Sequence, residues 1–340
     1  MSYCSLGEDC WNCLLPAWSF MWGMSVEDYW YESGDLAFIK QMWGYVKQNL
    51  DGARKMIDPE SGLFASREWN LFEWNPTDNR YEIMVYNSQF LDGAIQSALR
   101  LAEVVEDRDF IREYKPVQKA LRQAINRTWM PDRKAYAEVW ENGAPLDRPS
   151  SVHTSILALL YDEAGRHAGQ AARNLLEPRE DLIRVYSAFA SFYTYLALEK
   201  LDEPEAIVEQ MLRDYQPMLD LNATTVWETY PGSIVRTEFP TRSHCHAWSS
   251  APLCFLNEVV TGIRMVEPGT AAFEIAPAPV CGLTHAAGVR PTVRGPVTVI
   301  WQLDGEMLIV FCRVPKGVKA AYRENRVNAG YEVSFSVEEY

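Results

Sequence analysis

Ala247-Trp248-Ser249-Ser250-Ala251-Pro252-Leu253-Cys254-Phe255-Leu256-Asn257-Glu258-Val259-Val260-Thr261-Gly262-Ile263-Arg264 is where the sequence changes character. Up to Thr261 the apolar residues keep helical spacing; beyond Gly262 they do not. Phe273-Glu274-Ile275 is short and strand-like, and Val297-Thr298-Val299-Ile300-Trp301 alternates, as does Met307-Leu308-Ile309-Val310-Phe311. Asp304-Gly305 between the last two runs is a hairpin signal, and residues 331–335 read as a further strand. Residues 265–340 are therefore expected to form a small β-sandwich.

Working back toward the N-terminus, the pattern is helical. Val26, Tyr29, Trp30, Leu36, Ile39, Met42, Trp43, Val46 and Leu50 fall largely three and four apart, with Ser33-Gly34-Asp35 breaking the segment in two. Further helices are expected near residues 82–105, 107–127, 151–164, 168–176, 182–201, 203–215 and 247–261. Asp58-Pro59-Glu60-Ser61-Gly62 and Pro131-Asp132-Arg133 read as turns, and residues 68–80 as a loop. No strand-and-helix alternation precedes residue 265. Helical hairpins in series imply a mainly α domain over residues 1–264, a toroid of paired helices rather than a parallel sheet.

Composition narrows the function. The 340-residue chain carries a net charge of −14, which disfavours a phosphate backbone as partner, so no nucleic acid is expected. No apolar run approaches the roughly 20 residues that span a bilayer, so no membrane partner is expected, and the first 16 residues do not read as a signal peptide. Seven cysteines at irregular spacing are not a disulfide framework, and Cys10-x-x-Cys13 has neither a second pair nor a βαβ context. A reducing, cytoplasmic location is expected. Twelve Trp and 17 Tyr are many for this length. Such rings serve as core or as binding platforms, and flat aromatic faces suit the apolar C–H faces of sugars.

The densest chemistry is Asp220-Leu221-Asn222-Ala223-Thr224-Thr225-Val226-Trp227-Glu228-Thr229-Tyr230-Pro231-Gly232, followed by Ser243-His244-Cys245-His246-Ala247-Trp248. A carboxylate directly after a Trp, in a polar segment, can orient a water as general base. His244 and His246 could share a metal, but no carboxylate or third His stands at matching spacing, so neither metal nor cofactor is expected. Tyr230 with Arg242 leaves room for a lyase-type site.

Thr224-Thr225-Val226-Trp227-Glu228, Ser243-His244-Cys245-His246-Ala247-Trp248-Ser249, Gly262-Ile263-Arg264, Glu267-Pro268-Gly269 and Ile275-Ala276-Pro277 are similar, in order and spacing, to the closing motifs of the bacterial α-L-rhamnosidase family. Gly288-Val289, Thr292 and Gly295-Pro296-Val297 resemble its C-terminal β domain. Upstream, Pro16-Ala17-Trp18-Ser19-Phe20-Met21-Trp22, Tyr31-Glu32-Ser33-Gly34-Asp35 and Phe72-Glu73-Trp74 resemble other family stretches. The likeness runs along essentially the whole chain and is densest from Asp220 onward.

The resemblance implies an (α/α)6 barrel followed by a β-sandwich, and inverting hydrolysis of terminal α-L-rhamnosides by two carboxyl groups. It gives Glu228 the role of general base and has His246 hydrogen-bond the sugar. Trp22 and Trp74 form an apolar wall, and Glu73 and Trp227 complete the candidate substrate-binding set; Trp227 and Trp248 are also open to a structural reading. Two departures stand out. The family's general acid lies in an acidic, Arg-rich motif ahead of the stretch matching Pro16–Trp22, which this chain lacks, and Ala17 stands where an Asp is common. The chain thus reads as shortened, its barrel as incomplete, with Glu8, Asp9 and Glu73 the nearest substitutes for the acid. A non-catalytic rhamnoside binder or degenerate member, and a fragment of a longer enzyme, remain as alternatives.

Overall fold

The computed structural model describes residues 3–4, 13–177, 179–233 and 241–340. Glu8, Asp9 and Cys10 lie outside the described residues. The chain divides into two compact units, Met1–Asp28 with Leu36–Tyr186, and Tyr29–Asp35 with Ser187–Tyr340.

The first unit opens with the short pair β1 (Tyr3–Cys4) and β2 (Cys13–Leu14). Helix α1 (Pro16–Ser33) starts nine residues before the periodic pattern at residue 25 suggested and is followed by α2 (Leu36–Arg54), so the break falls at Gly34-Asp35 as expected. Then come α3 (Val85–Val104), α4 (Arg108–Asn126), the two-residue ladders β3 (Trp129–Met130) with β4 (Ala135–Tyr136) and β5 (Trp140–Glu141) with β6 (Ala144–Pro145), α5 (Val152–Leu160) and α6 (Ala168–Leu176). Connections as short as 105–107 fold α3 back against α4. Asp107 fixes that turn: it caps α4 by accepting from Phe110 N at 3.0 Å and receives Trp43 Nε1 and Lys47 Nζ of α2, each at 2.9 Å. These donors, the Phe110 amide foremost, push its carboxyl down to about 2. The core of the unit gathers on α3, where Phe90, Leu91, Ala94, Ile95, Ala98 and Leu101 are buried.

The second unit holds the last turn of α1, then α7 (Ala188–Lys200), α8 (Pro204–Asp220) and α9 (Ala251–Phe255). Helix α8 runs five residues past the expected end at 215. The single helix expected over 247–261 is instead a 3-10 turn (Ala247–Ser249), the short α9 and a π-helical turn (Leu256–Val260). Strands follow as β7 (Ile263–Glu267), β8 (Ala272–Ile275), β9 (His285–Arg290), β10 (Val297–Asp304), β11 (Met307–Val314), β12 (Lys319–Tyr322) and β13 (Glu332–Glu339). They form a four-stranded sheet in the order β13-β11-β10-β9 and a three-stranded sheet in the order β12-β8-β7, with β11–β13 and β8–β12 parallel.

The β10–β11 hairpin pairs Asp304 with Met307, leaving Gly305 and Glu306 as its loop. Only Gly305 has positive φ (62°), which fits a type II′ turn with glycine first. Alternation buries Val297, Val299 and Trp301 on β10 and Leu308, Val310, Cys312 and Val314 on β11. Trp301 Nε1 donates to Val260 O at 2.7 Å, joining sheet to π turn. Arg290 of β9 joins them again, with Nη1 on Glu258 at 2.8 Å and Nη2 on Glu32 at 2.6 Å. The architecture is mainly helical with a sheet-containing C-terminal part, and among the described residues 3–260 there is no parallel sheet.

Candidate active site

The Glu228 segment is built by two irregular stretches, 225–230 and 241–249, that are hydrogen-bonded to each other. Glu228 N donates to Ser243 O at 2.9 Å, His246 N to Val226 O at 3.0 Å, and Thr229 N to Thr241 Oγ1 at 3.1 Å. The same stretch adds two side-chain bonds: Trp248 Nε1 donates to Glu228 O at 2.8 Å, and Ser249 Oγ to Trp227 O at 2.5 Å. Trp227 and Thr229 on either side of Glu228 are buried, whereas Glu228 is only half-buried. Its side chain is 12% exposed and pairs with Arg242 Nε at 3.3 Å.

His246, whose backbone amide bonds Val226 O, is stacked on Trp248 at 4.3 Å, and Trp248 is stacked in turn on Phe189 of α7 at 5.1 Å. His246 Nδ1 accepts from Trp248 N at 3.4 Å. That contact assigns the proton of a neutral imidazole to Nε2, leaving it as a donor toward a ligand hydroxyl. His244 instead packs edge-on against Trp227, so the two histidines are engaged by different rings. Trp227 itself is 5% exposed. Tyr230 OH donates to Ser191 Oγ at 2.7 Å, and burial pushes its phenol well above the ordinary range. With Tyr230 held protonated and Arg242 on Glu228, the lyase-type pairing of these two residues has no free members.

Trp22, Glu73 and Trp74 belong to the other compact unit. Trp22 is half-buried on α1, one turn beyond the fully buried Ala17. Trp74 is half-buried in the 66–82 loop, its ring 5.8 Å from that of Trp69 and tilted by 57°. Glu73 turns inward: its side chain has no exposed surface, pairs with His153 Nε2, and accepts from Tyr186 N at 3.1 and 3.2 Å. A carboxylate so engaged is poorly disposed to protonate a leaving group. Arg242, Phe189 and His153 were not assigned rhamnosidase roles from the sequence. Only His153 carries a signal there, as an imidazole at the start of α5, whose last five residues are apolar.

No helix among the described residues is long and apolar enough to cross a membrane. Residues 11–260 match the bacterial α-L-rhamnosidase six-hairpin glycosidase domain, and residues 262–323 the bacterial α-L-rhamnosidase C-terminal domain. An α-L-rhamnosidase of Formosa agariphila is 21% identical over 313 residues, covering 85% of this chain and 32% of the relative. The crystal structure of a GH78 family rhamnosidase of Bacillus sp. GL1 superposes with a TM-score of 0.90 at 28% identity, over 97% of this chain and 35% of that one. A Streptomyces avermitilis α-L-rhamnosidase complexed with L-rhamnose shares the fold, with a TM-score of 0.66 at 18% identity, over 83% of this chain and 27% of that one. The chain thus spans about a third of the length of these relatives. With both domain models matched in tandem on a helical part and a sheet part, the chain belongs to the bacterial α-L-rhamnosidase family.

Proposed function

We propose that the chain carries the base half of an inverting α-L-rhamnosidase site. Glu228 takes a proton from water as that water attacks the anomeric carbon, and a carboxylic acid about 6.5–9.5 Å away protonates the leaving oxygen. The observation that carries this reading is the Arg242–Glu228 pair on a backbone hydrogen-bonded at both Glu228 N and Glu228 O, because a general base must be held in one orientation toward its water. In this reading His246 donates Nε2–H to a sugar hydroxyl. Trp22 and Trp74 supply the apolar wall for the deoxy-sugar's methyl group and ring face. Trp227, buried next to the base, acts by fixing the segment. The ligand is a rhamnoside, with no nucleic acid, membrane or metal involved, and cysteine usage favours the cytoplasm. The functional division stays at 1–264 and 265–340.

The test is hydrolysis of 4-nitrophenyl α-L-rhamnoside followed by proton NMR. β-L-Rhamnose as first product, lost in Glu228→Gln, supports the reading; α-L-rhamnose as first product sinks the inverting mechanism. The alternative, a non-catalytic rhamnoside binder, is favoured by rhamnose binding in calorimetry without turnover.

A further inference from the structure

Glu73 is a charged residue between two aromatic ones, Phe72 and Trp74, yet it is 2% exposed. A carboxylate removed from water persists only when paired and hydrogen-bonded, and here the partners come from distant parts of one unit: His153 on α5 and the backbone amide of Tyr186. Phe72 is held with it, edge-on to His153 at 5.3 Å and to Phe90 of α3 at 4.9 Å. The chain therefore enters Trp74 from two anchored residues, and Trp69 lies against Trp74 on the same loop.

We infer that His153 is a positioning residue for the sugar-facing aromatic loop: through Glu73 it fixes Trp74, and loss of its charge loosens that hold. The role toward sugar rests on the rhamnosidase reading; the linkage between His153 and the loop does not. The charged and titratable groups facing His153 are Glu73 from the loop and Glu138 from the segment after β4, whose Oε1 accepts from Ser151 N at 2.7 Å. Arg148 acts on Glu138 in turn. Burial opposes the imidazolium, but the Glu73 carboxylate, its hydrogen bond and Glu138 outweigh it, so His153 holds its proton to higher pH than an ordinary histidine. Nδ1 has no hydrogen-bond partner among the described residues, which makes it the nitrogen that gives up the proton. Nε2–H can still donate to Glu73 afterwards, but as a neutral donor, and charge-assisted bonds are roughly twice as strong.

The experiment is near-ultraviolet circular dichroism of the 340-residue chain against pH, beside steady-state kinetics on 4-nitrophenyl α-L-rhamnoside. The chain should show an aromatic step with a midpoint above about 6.5, absent in His153→Gln and in Trp74→Phe. His153→Gln should raise KM about tenfold while kcat stays within about twofold, the pattern of lost binding rather than lost chemistry. A flat signal in the unmodified chain, or a step that persists in His153→Gln, overturns the inference. A fall in kcat at unchanged KM overturns the positioning role. Should His153→Gln fail to fold, the unmodified chain and Trp74→Phe decide by the first readout alone. Absence of rhamnoside turnover with the aromatic step intact refutes the functional reading and leaves the linkage standing.

Discussion

Arg242 Nε stands 3.3 Å from Glu228 Oε1, while the peptide carbonyl of Glu228 is held by the indole of Trp248 at 2.8 Å. One contact fixes the carboxylate and the other fixes the backbone that carries it. The two contacts can therefore be separated by mutation.

Arg242→Ala leaves the backbone hydrogen bonds in place and removes the guanidinium contact from the carboxylate. The expected result is a kcat/KM on an aryl rhamnoside about 10- to 100-fold lower, as misplacement of a reacting group by about 1 Å can cost 10²-fold. Glu228→Gln should lose about 10²–10⁴-fold or more. Far-ultraviolet dichroism of both variants should match the parent. Full activity in Arg242→Ala would remove the pair from the mechanism.

Glu163 gives a pH-dependent stability prediction. It is 2% exposed, and neither carboxyl oxygen has a hydrogen-bond partner among the described residues. Burial first, and the nearby Asp92 second, push its carboxyl well above the usual range. A carboxyl raised in the folded state binds more protons there than in the unfolded chain, so folding loses stability as pH rises above about 4.3 toward the folded value. Glu163→Gln removes that loss. Its melting temperature should equal the parent's near pH 4 and exceed it near pH 8; the reverse ordering in a thermal scan would contradict the assignment.

Gly262 marks the point where helix gives way to sheet, and the reason is steric. Its φ is +75°, and a Cβ built there would lie 2.2 Å from both Ala276 C and Pro277 N. Gly262→Ala should cost about 3 kcal/mol or more by urea denaturation, combining left-handed strain with a backbone clash. Gly282→Ala, at similar φ with nothing within 4 Å, is the control and should cost clearly less. Equal losses would mean that strain alone matters.

That glycine was visible in the sequence because a local pattern changes beside it. The same holds for α6, whose bounds match the expected 168–176, and for α4, which runs from Arg108 to Asn126 within the expected 107–127. Where a window holds two signals, reading failed. Residues 247–261 keep apolar periodicity, but Ser249-Ser250 and Pro252 interrupt it, and three short turns replace one helix. Glu73 was beyond reach for another reason. Its partner His153 lies 80 residues away, and nothing local distinguishes a carboxylate that faces solvent from one that faces a buried imidazole. Trp227 makes the same point for aromatics: a Trp next to a candidate base reads as a platform, yet this ring is buried.

The remaining prediction concerns the leaving group. The proposed reaction needs an acid opposite Glu228, and Glu73 is a poor source because its carboxylate is tied to His153 and to Tyr186 N. General acid catalysis contributes about 10²–10⁴-fold, so a site weak in acid is slow rather than dead. The deficit should depend on how badly the departing oxygen needs a proton. An activated phenolate leaves without one, whereas an alkoxide or a sugar oxygen does not. Residues 1–340 alone are therefore expected to hydrolyse 4-nitrophenyl α-L-rhamnoside far faster than a methyl or disaccharide rhamnoside, by a margin larger than an enzyme with both carboxyl groups shows. Glu228→Gln should abolish the aryl activity as well, because the water still needs a base. The measurement is kcat/KM across phenols of graded acidity: a steep dependence on leaving-group pKa is expected, and a flat one, with robust rates on alkyl rhamnosides, would establish a working acid within these residues.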